Sequence, residues 1–230
     1  MNDSVHSTPA PRRARAPAKA APQEGTRTND PARTMAGILS VATTEFASKG
    51  LSGARIDEIA AATHTSKRMI YYYFGGKEGL YIAVLEDAYR RMRQIEAQLH
   101  LDDLDPEAAL RRLVEFTFDH HRTNPDYIRL VMSENMQRGE YLTQSKIIRE
   151  LNVPVIDAIR QLYDRGVAAG VFRPGLDPVD IHASISALTF FNVSNQHTFG
   201  LIFKGDTQLP ETLAARRNNI VEMVVRFMRA

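Results

Sequence analysis

Four dipeptides of one kind recur along this chain of 230 residues and constrain its fold more than any other feature. In each, an Asp or Asn that can accept hydrogen bonds from the first turn of a helix precedes a proline suited to the first helical position. They are Asp30-Pro31, Asp105-Pro106, Asn124-Pro125 and Asp177-Pro178. Gly50, Gly139 and Gly170 mark predicted helix ends, because glycine tolerates the left-handed conformation that follows a last turn.

Apolar side chains between these marks recur at intervals of three or four residues, which is the spacing of one helix face. The longest such stripe comprises Leu80, Val84, Ala88, Met92, Ile95 and Leu99. Similar stripes run over 148–163 and 213–228, and no convincing alternation of period two indicates a strand. The sequence predicts an all-α fold with about nine helices.

The composition excludes several classes of protein. Without cysteine the chain has no disulfide, no Cys-ligated zinc, no iron–sulfur cluster and no thiol nucleophile. Its apolar runs fall short of the ~20 residues of a membrane-spanning helix, and its N-terminus has no apolar block of a secretory signal. We therefore expect a cytoplasmic protein that does not contact a membrane.

No pattern of a catalytic or metal site stands out. Asp119, His120 and His121 follow Glu115 by one helical turn, but adjacent histidines on a helix point about 100° apart and share one ion poorly. The sequence has no glycine-flanked nucleophile elbow, phosphate loop or dinucleotide-binding fingerprint. We expect no metal, no cofactor and no enzymatic activity.

The small net charge of +2 is unevenly distributed: residues 1–80 carry +4 and the remainder −2. Five of the eleven prolines, with alanines and basic residues, fill the first 33 positions. Such a segment buries too little apolar surface to offset the entropy of ordering it. We predict a disordered basic arm over 1–29, whose contact with DNA is left open.

Residues 54–80 carry the pattern that indicates function. A short helix near 56–62, a turn at Thr63-His64-Thr65 and a second short helix capped by Ser66 form a helix-turn-helix, whose second helix enters the major groove of DNA. On that second helix Ile70 and Phe74 lie four apart and face the core. Lys67, Arg68, Tyr71 and Tyr72 point elsewhere and have side chains suited to guanine edges and phosphates. A buried aromatic cluster is the alternative for the three tyrosines, although three consecutive residues cannot all face one core.

The pattern Gly50…Ile59-Ala60…Ser66-Lys67…Ile70-Tyr71-Tyr72-Tyr73-Phe74…Lys77-Glu78…Leu80 resembles the N-terminal domain of the TetR/AcrR family of transcriptional regulators. By that resemblance Ser66, Lys67, Arg68 and Tyr71 contact bases or adjacent phosphates, and Tyr72, Tyr73 and Lys77 hold the DNA backbone. Thr65 joins this set, as does Arg55, for which a solvated charge is an equal alternative to a phosphate contact. Two positions depart from the family: His64 stands where glycine is usual, and Ala54-Arg55 where a capping Thr or Ser is frequent. His tolerates the positive φ that the turn requires.

The remaining residues resemble the family's ligand-sensing half in architecture. The order of their predicted helices and of the segments between them resembles the subgroup that includes regulators of pyrimidine utilisation and nicotinate catabolism. A stripe of amides and aromatics predicts a ligand pocket, because amides bind polar edges and aromatics cover an apolar body. It comprises Phe191, Asn192, Asn195, Gln196 and Phe199. Met132 and Met136 are four apart and are added as pocket residues, although methionines are more often core. A dimer interface, or amides satisfied internally, is the alternative for the stripe.

Together these features predict a three-helix DNA-binding domain over 30–80 and a larger helical domain for ligand binding and dimerisation over 81–230. Long helices predicted over 178–200 and 211–229 would form a homodimer that presents two recognition helices to a palindromic operator. A small-molecule effector would release this repressor from DNA. A transcriptional activator, or a helical small-molecule-binding protein or enzyme with a vestigial DNA-binding domain, is the alternative.

Overall fold

The computed structural model describes residues 30–203 and 209–230, so the predicted basic arm over 1–29 lies outside the described residues. Within those ranges the chain forms ten α-helices and three short 3-10 helices, and the only β pairing is one isolated bridge between Phe172 and Arg229. The helices are α1 (Pro31–Gly53), α2 (Ile56–Ala62), α3 (Lys67–Phe74), α4 (Lys77–Glu96), α5 (Pro106–Thr123), α6 (Pro125–Met136), α7 (Lys146–Ala168), α8 (Pro178–Ser194), α9 (Gln196–Phe203) and α10 (Pro210–Met228). The predicted all-α fold is confirmed.

The predicted helix starts hold in all four places, with one difference in chemistry. Asp105 and Asp177 cap their helices by accepting hydrogen bonds from Ala108 N (3.0 Å) and Val179 N (2.6 Å). Asn124 does not cap α6. Its amide nitrogen donates instead to the carbonyl of His120 at 2.9 Å, so this side chain closes α5. Asn124 therefore serves the helix before it, because its amide has donors that an Asp lacks.

The predicted glycine stops all have positive φ: 66° at Gly50, 72° at Gly139 and 69° at Gly170. The single helix predicted over 178–200 is wrong, because the chain forms α8 and α9 with a break at Asn195. There the Asn195 amide donates to Ser194 Oγ at 2.8 Å, a local side-chain bond of the kind that competes with helix geometry.

Two buried apolar cores organise the described residues. The first is formed by α1–α4, with Leu130 of α6 and Ile148 of α7 completing it. The second is formed by α5, α7, α8 and α10, with Phe172 from the loop after α7. Helix α4 contributes to the first core through Tyr81, Val84 and Leu85, well past residue 80, and then continues for three further turns. It is therefore, with α6 and α7, an element through which a change beyond the first core can reach the helix-turn-helix.

Candidate DNA-binding surface and interior cavity

The turn between α2 and α3 is held by hydrogen bonds of its own backbone. His64 N donates to Ala61 O at 3.2 Å and Thr65 N donates to Ala60 O at 3.0 Å. His64 has φ 52°, so the left-handed conformation predicted for this residue is confirmed. The turn thus fixes the angle between two short helices without a glycine.

The ends of both short helices are satisfied by named groups. Ser66 accepts a hydrogen bond from Met69 N at 3.2 Å, which confirms the predicted cap of α3. Gly75 ends α3 in the left-handed conformation with φ 76°. Arg55 precedes α2 and makes no side-chain cap, but its backbone N–H donates to Glu45 Oε1 at 3.1 Å. A carboxylate from α1 therefore satisfies the N–H of the N-cap residue itself, as the Glu or Gln of a capping box does, and does not replace the acceptor of a capping hydroxyl.

Burial divides α3 into an inner and an outer face. Ile70 is fully buried in the first core, and Tyr73 and Phe74 pack against that core half-buried. Tyr71 is 53% exposed and Tyr72 is 78% exposed. The structure thus separates the three tyrosines, as helix geometry requires, and Tyr73 holds α3 to the protein.

The outer face of α3 carries polar and basic side chains. Ser66, Lys67 and Arg68 are all exposed beside Tyr71 and Tyr72, while Thr65 is half-buried at the turn. Over the described residues Arg68 forms no ion pair. This arrangement brings the predicted recognition residues to one surface.

One carboxylate lies within this basic surface. Asp57 Oδ2 is 2.9 Å from Lys67 Nζ and 3.6 Å from an Arg55 guanidinium nitrogen. The hydrogen bond from Lys67 lowers the pKa of Asp57, with a further contribution from the charges of Lys67 and Arg55. Asp57 therefore neutralises part of the positive charge that α3 would present to a phosphate.

Lys77, predicted to reach the DNA backbone, lies at the start of α4 and is half-buried. Its Nζ donates to the carbonyl of Ser52 at 3.2 Å. Lys77 therefore ties the start of α4 to the end of α1.

A cavity of about 440 Å³ lies between α4, α5, α6, α7 and α8 and borders the first core at Ile148. Its lining combines aromatic, aliphatic and basic side chains, with no Asp or Glu. The lining side chains include Tyr89, Met92 and Arg93 of α4, His121 of α5, Tyr127 and Val131 of α6, Ile148, Arg149 and Asn152 of α7, and His182, Ser186 and Phe190 of α8. The volume falls within the range of about 300–1,000 Å³ that is usual for small-molecule sites.

His121 and Ser145 are the most buried polar residues in this lining, each with 4% of its surface exposed. The His121 ring stacks on Tyr127 with centroids 6.2 Å apart and meets Phe190 edge-on at 6.1 Å. Burial, and then the neighbouring charge of His120, lowers the pKa of His121 to about 4. The ring is therefore neutral near pH 7, and within the described part of the chain its Nδ1 has no hydrogen-bond partner.

The acidic residues beside these histidines turn away from them. Asp119 and Glu115 both pair with Arg217, at 3.1 Å and 3.3 Å. Across residues 30–203 and 209–230 no group of three or more His, Asp or Glu side chains is arranged to hold a metal ion.

The predicted ligand stripe lies together, but outside the cavity between α4 and α8. Its five residues, Phe191, Asn192, Asn195, Gln196 and Phe199, line a separate pocket of about 230 Å³ against α10. In that pocket Arg216 Nε donates to Asn192 Oδ1 at 3.2 Å. The two aromatic rings are 41% and 38% exposed, so the stripe lines a partly open pocket.

The predicted pocket methionines do not line either of these cavities. Met136 is the last residue of α6 and is 78% exposed, and Met132 is half-buried. The residues of α6 that line the cavity are Tyr127 and Val131, which share one face of the helix. Met132 follows Val131 directly and therefore points about 100° away from that face.

Sequence reasoning missed the cavity face of α8. His182, Ser186 and Phe190 follow one another at intervals of four, a stripe that was visible in the sequence. No sequence pattern indicated that Arg93 lines the cavity, because that position depends on the helices that α4 packs against.

A second exposed apolar surface runs along α9. Leu201, Ile202 and Phe203 are 81%, 69% and 65% exposed, and Phe199 packs on Phe203 with ring centroids 4.6 Å apart. Side chains of this size are rarely left in water as a contiguous group on a monomer. For the described ranges 30–203 and 209–230, no helix combines the length and apolar character needed to cross a bilayer.

Comparisons with known proteins agree with this architecture. Residues 38–84 match the model of bacterial regulatory proteins of the tetR family, and residues 106–224 match the tetracyclin repressor-like C-terminal domain. The HTH-type transcriptional repressor NicS of Pseudomonas putida is 34% identical over 89% of this chain and 97% of its own length. The HTH-type transcriptional regulator RutR of Escherichia coli is 32% identical over 66% of this chain and 70% of its own.

Among solved structures, the transcriptional regulator SCO4942 of Streptomyces coelicolor superposes with a TM-score of 0.64 at 28% identity, covering 85% of this chain and 98% of that one. The predicted family is confirmed at both ends of the described fold. The chain belongs to the TetR family of bacterial transcriptional regulators.

Proposed function

We propose that this chain is a transcriptional repressor that binds a palindromic operator as a homodimer and leaves it when a small molecule binds. The observation that carries the proposal is the outer face of α3, where exposed basic and tyrosine side chains surround a helix anchored by the buried Ile70. The names of relatives such as the repressor NicS support the negative sign of regulation.

In this proposal α3 lies in the major groove. Lys67 and Arg68 contact guanine edges or phosphates, and the hydroxyls of Ser66, Tyr71 and Tyr72 bond phosphate oxygens. Thr65 and Arg55 lie at the edge of this contact as backbone-positioning residues. Two further predicted residues act on the helices and not directly on bases. Tyr73 packs against the first core and so orients α3, and Lys77 positions the start of α4 beside the DNA backbone.

The dimer is supported by the exposed apolar surface of α9 and by the pocket beside α10. Two copies of Leu201, Ile202 and Phe203 would remove a large apolar area from water. The stripe of Phe191, with its amides and Phe199, lies next to this surface, which favours its role in the dimer interface over a ligand site. A two-fold axis through this region would present two α3 helices to half-sites about one helical turn apart.

The effector site is supported by the cavity between α4 and α8. Helix α4 lines the cavity with Tyr89, Met92 and Arg93 and also packs into the first core beside α3. A molecule that binds the released form more tightly than the DNA-bound form would shift the population between them through α4.

The test is fluorescence anisotropy with labelled DNA from upstream of the chain's own gene. Lys67→Ala and Tyr71→Ala should each weaken operator binding by about tenfold or more, since good base or phosphate contacts contribute about 1–3 kcal/mol. Lys146→Ala is the matched control, because Lys146 is exposed at the start of α7 and lies outside the helix-turn-helix. Unchanged affinity of both α3 variants would refute the assignment of the recognition helix.

An activator remains the second candidate within the same class, and a reporter gene behind the operator separates it from a repressor by the sign of the response. A small-molecule-binding protein with a vestigial DNA-binding domain would show no protected palindrome at any effector concentration. The proposal gives the chain no reaction to catalyse and locates it in the cytoplasm, where its operator DNA lies.

A further inference from the structure

The charges that line the interior cavity are all of one sign. Arg93 and Arg149 contribute guanidinium groups, His121 and His182 contribute imidazoles, and no carboxylate lines the space. Arg149 is exposed at the rim, whereas the Arg93 side chain is only 10% exposed. A cavity with cations and neutral histidines but no acid favours a ligand that carries a negative charge.

Arg93 has hydrogen-bonding capacity left over. It pairs with Glu96 one turn later on α4, and Glu96 faces a neighbouring groove of about 750 Å³ rather than the cavity. Over the described residues the Arg93 Nε is buried without a partner. Because a guanidinium has five N–H donors in a planar fork, Arg93 can hold Glu96 on one side and a second carboxylate on the other.

One wall of the cavity is a set of aromatic rings, and Met92, Val131, Leu142 and Ile148 supply the rest of its apolar lining. Tyr89 and Tyr127 meet edge-on with centroids 5.5 Å apart, and Tyr127 stacks on His121. Phe190 closes this group from α8. Flat rings in such an arrangement pack well against a planar ligand and poorly against a bulky saturated one.

We infer that the cavity binds a small organic monoanion: a carboxylate on a planar aromatic or conjugated body, with its charge at Arg93 and its ring among Tyr127, His121 and Phe190. The inference rests on the proposed function, whose effector it assigns to a chemical class. His121, nine-tenths buried with its Nδ1 unpartnered, gives the carboxylate a second polar contact.

Binding should also take up a proton. His121 faces Arg93 and Tyr89 from α4, Tyr127 from α6, His182 from α8 and His120 on its own helix, and none of these carries a negative charge at neutral pH. A bound carboxylate would be the first anion beside this ring and would favour its protonated form. Affinity should therefore rise as the pH falls towards the ordinary pKa of histidine.

The experiment is isothermal titration calorimetry of the full chain with matched pairs of probes. Benzoate, cinnamate and 2-naphthoate are compared with their carboxamides, and 2-naphthylmethylamine serves as the cation of similar shape. At least one carboxylate should bind about tenfold more tightly than its amide, because a charge-assisted hydrogen bond adds about 1.5–3 kcal/mol. Its affinity should be greater at about pH 6 than at about pH 8, with proton uptake seen by changing the buffer.

A double variant tests the assigned residues. Arg93→Gln with Glu96→Gln removes both members of the buried pair, so that neither charge is left alone. It should abolish the preference for carboxylate over amide and preserve binding of the amide. Arg91→Gln is the control, since Arg91 lies on α4 but is exposed and does not line the cavity.

Three results would overturn the inference: amides that bind as tightly as carboxylates, a cation that binds best, or no probe binding below about 1 mM. A carboxylate preference that the double variant leaves unchanged would overturn the assignment of Arg93. Operator release is measured separately by anisotropy. A carboxylate that binds through Arg93 without releasing DNA would confirm the ligand class and refute the effector role in the proposed function.

Discussion

Gly79 lies in the first turn of α4, where the carbonyl group of Phe74 at the end of α3 comes against it. A Cβ built on Gly79 would be 1.9 Å from Phe74 O and 3.1 Å from Phe74 C. The blocking atoms belong to the backbone and cannot rotate away as a side chain would. Gly79→Ala therefore requires the end of the recognition helix to move.

The size of the movement follows from the contact distance. A carbon and a carbonyl oxygen approach no closer than about 3.3 Å, so α3 and α4 must separate by about 1.4 Å at this point. Forcing an extra methyl into a packed contact costs about 1–3 kcal/mol, and alanine's better helix propensity returns about 0.5–1 kcal/mol. The net loss of about 1 kcal/mol lowers the Tm by about 2–4 °C in a chain of this size.

The functional effect should exceed the loss of stability. Displacing α3 by about 1 Å misplaces several base and phosphate contacts at once, each of which is worth about 1–3 kcal/mol. We expect operator affinity in the anisotropy assay to fall by about tenfold or more, while probe binding in the cavity between α4 and α8 is unchanged.

Gly37→Ala is the matched control. Gly37 is exposed within α1, and a Cβ there meets nothing within 4 Å. The same substitution should therefore stabilise the chain by about 0.5–1 kcal/mol and leave DNA binding intact. Wild-type operator affinity and an unreduced Tm for Gly79→Ala would refute the close approach of α3 to α4.

Three further predictions follow from other contacts. Asp57→Asn should tighten DNA binding and steepen its dependence on salt in anisotropy titrations, because Lys67 loses its competing partner; weaker binding would contradict this. Gly166→Ala should destabilise the chain by about 1–3 kcal/mol in urea unfolding, since its Cβ would lie 1.9 Å from Phe172 Cδ2, and Phe172→Leu should relieve the loss. Burial lowers the pKa of His121 to about 4, below its value of about 6.5 in the unfolded chain, so the unfolding free energy should decrease as the pH falls from about 6.5 to about 4. His121→Leu should flatten that dependence, and an unchanged pH profile in the variant would show that another group is responsible.

Features that depend on a few neighbouring residues could be predicted from the sequence. The caps at Ser66 and Asp177 and the positive φ of His64 each involve contacts within about four residues. The division of α3 into a buried Ile70 and an exposed Tyr72 also followed, because the period of a helix fixes the angles between its own side chains.

The same reasoning does not decide which of two neighbouring residues faces a given cavity, because that depends on how the whole helix is rotated. Phe190 faces the cavity between α4 and α8, whereas the predicted Phe191 lines the separate pocket against α10. Val131 likewise faces the cavity where the predicted Met132, one residue or about 100° away, does not.

By itself the sequence determined that this chain is helical, where most helices begin, which short helix could read DNA, and the family to which it belongs. The tertiary structure alone decided that Arg93, His121 and Phe190, from three separate helices, line one cavity, and that Asp57 pairs with Lys67 on the DNA-binding face. The physical reason is that periodicity fixes directions within a helix, whereas the rotation and partners of that helix are set by packing the whole core at once.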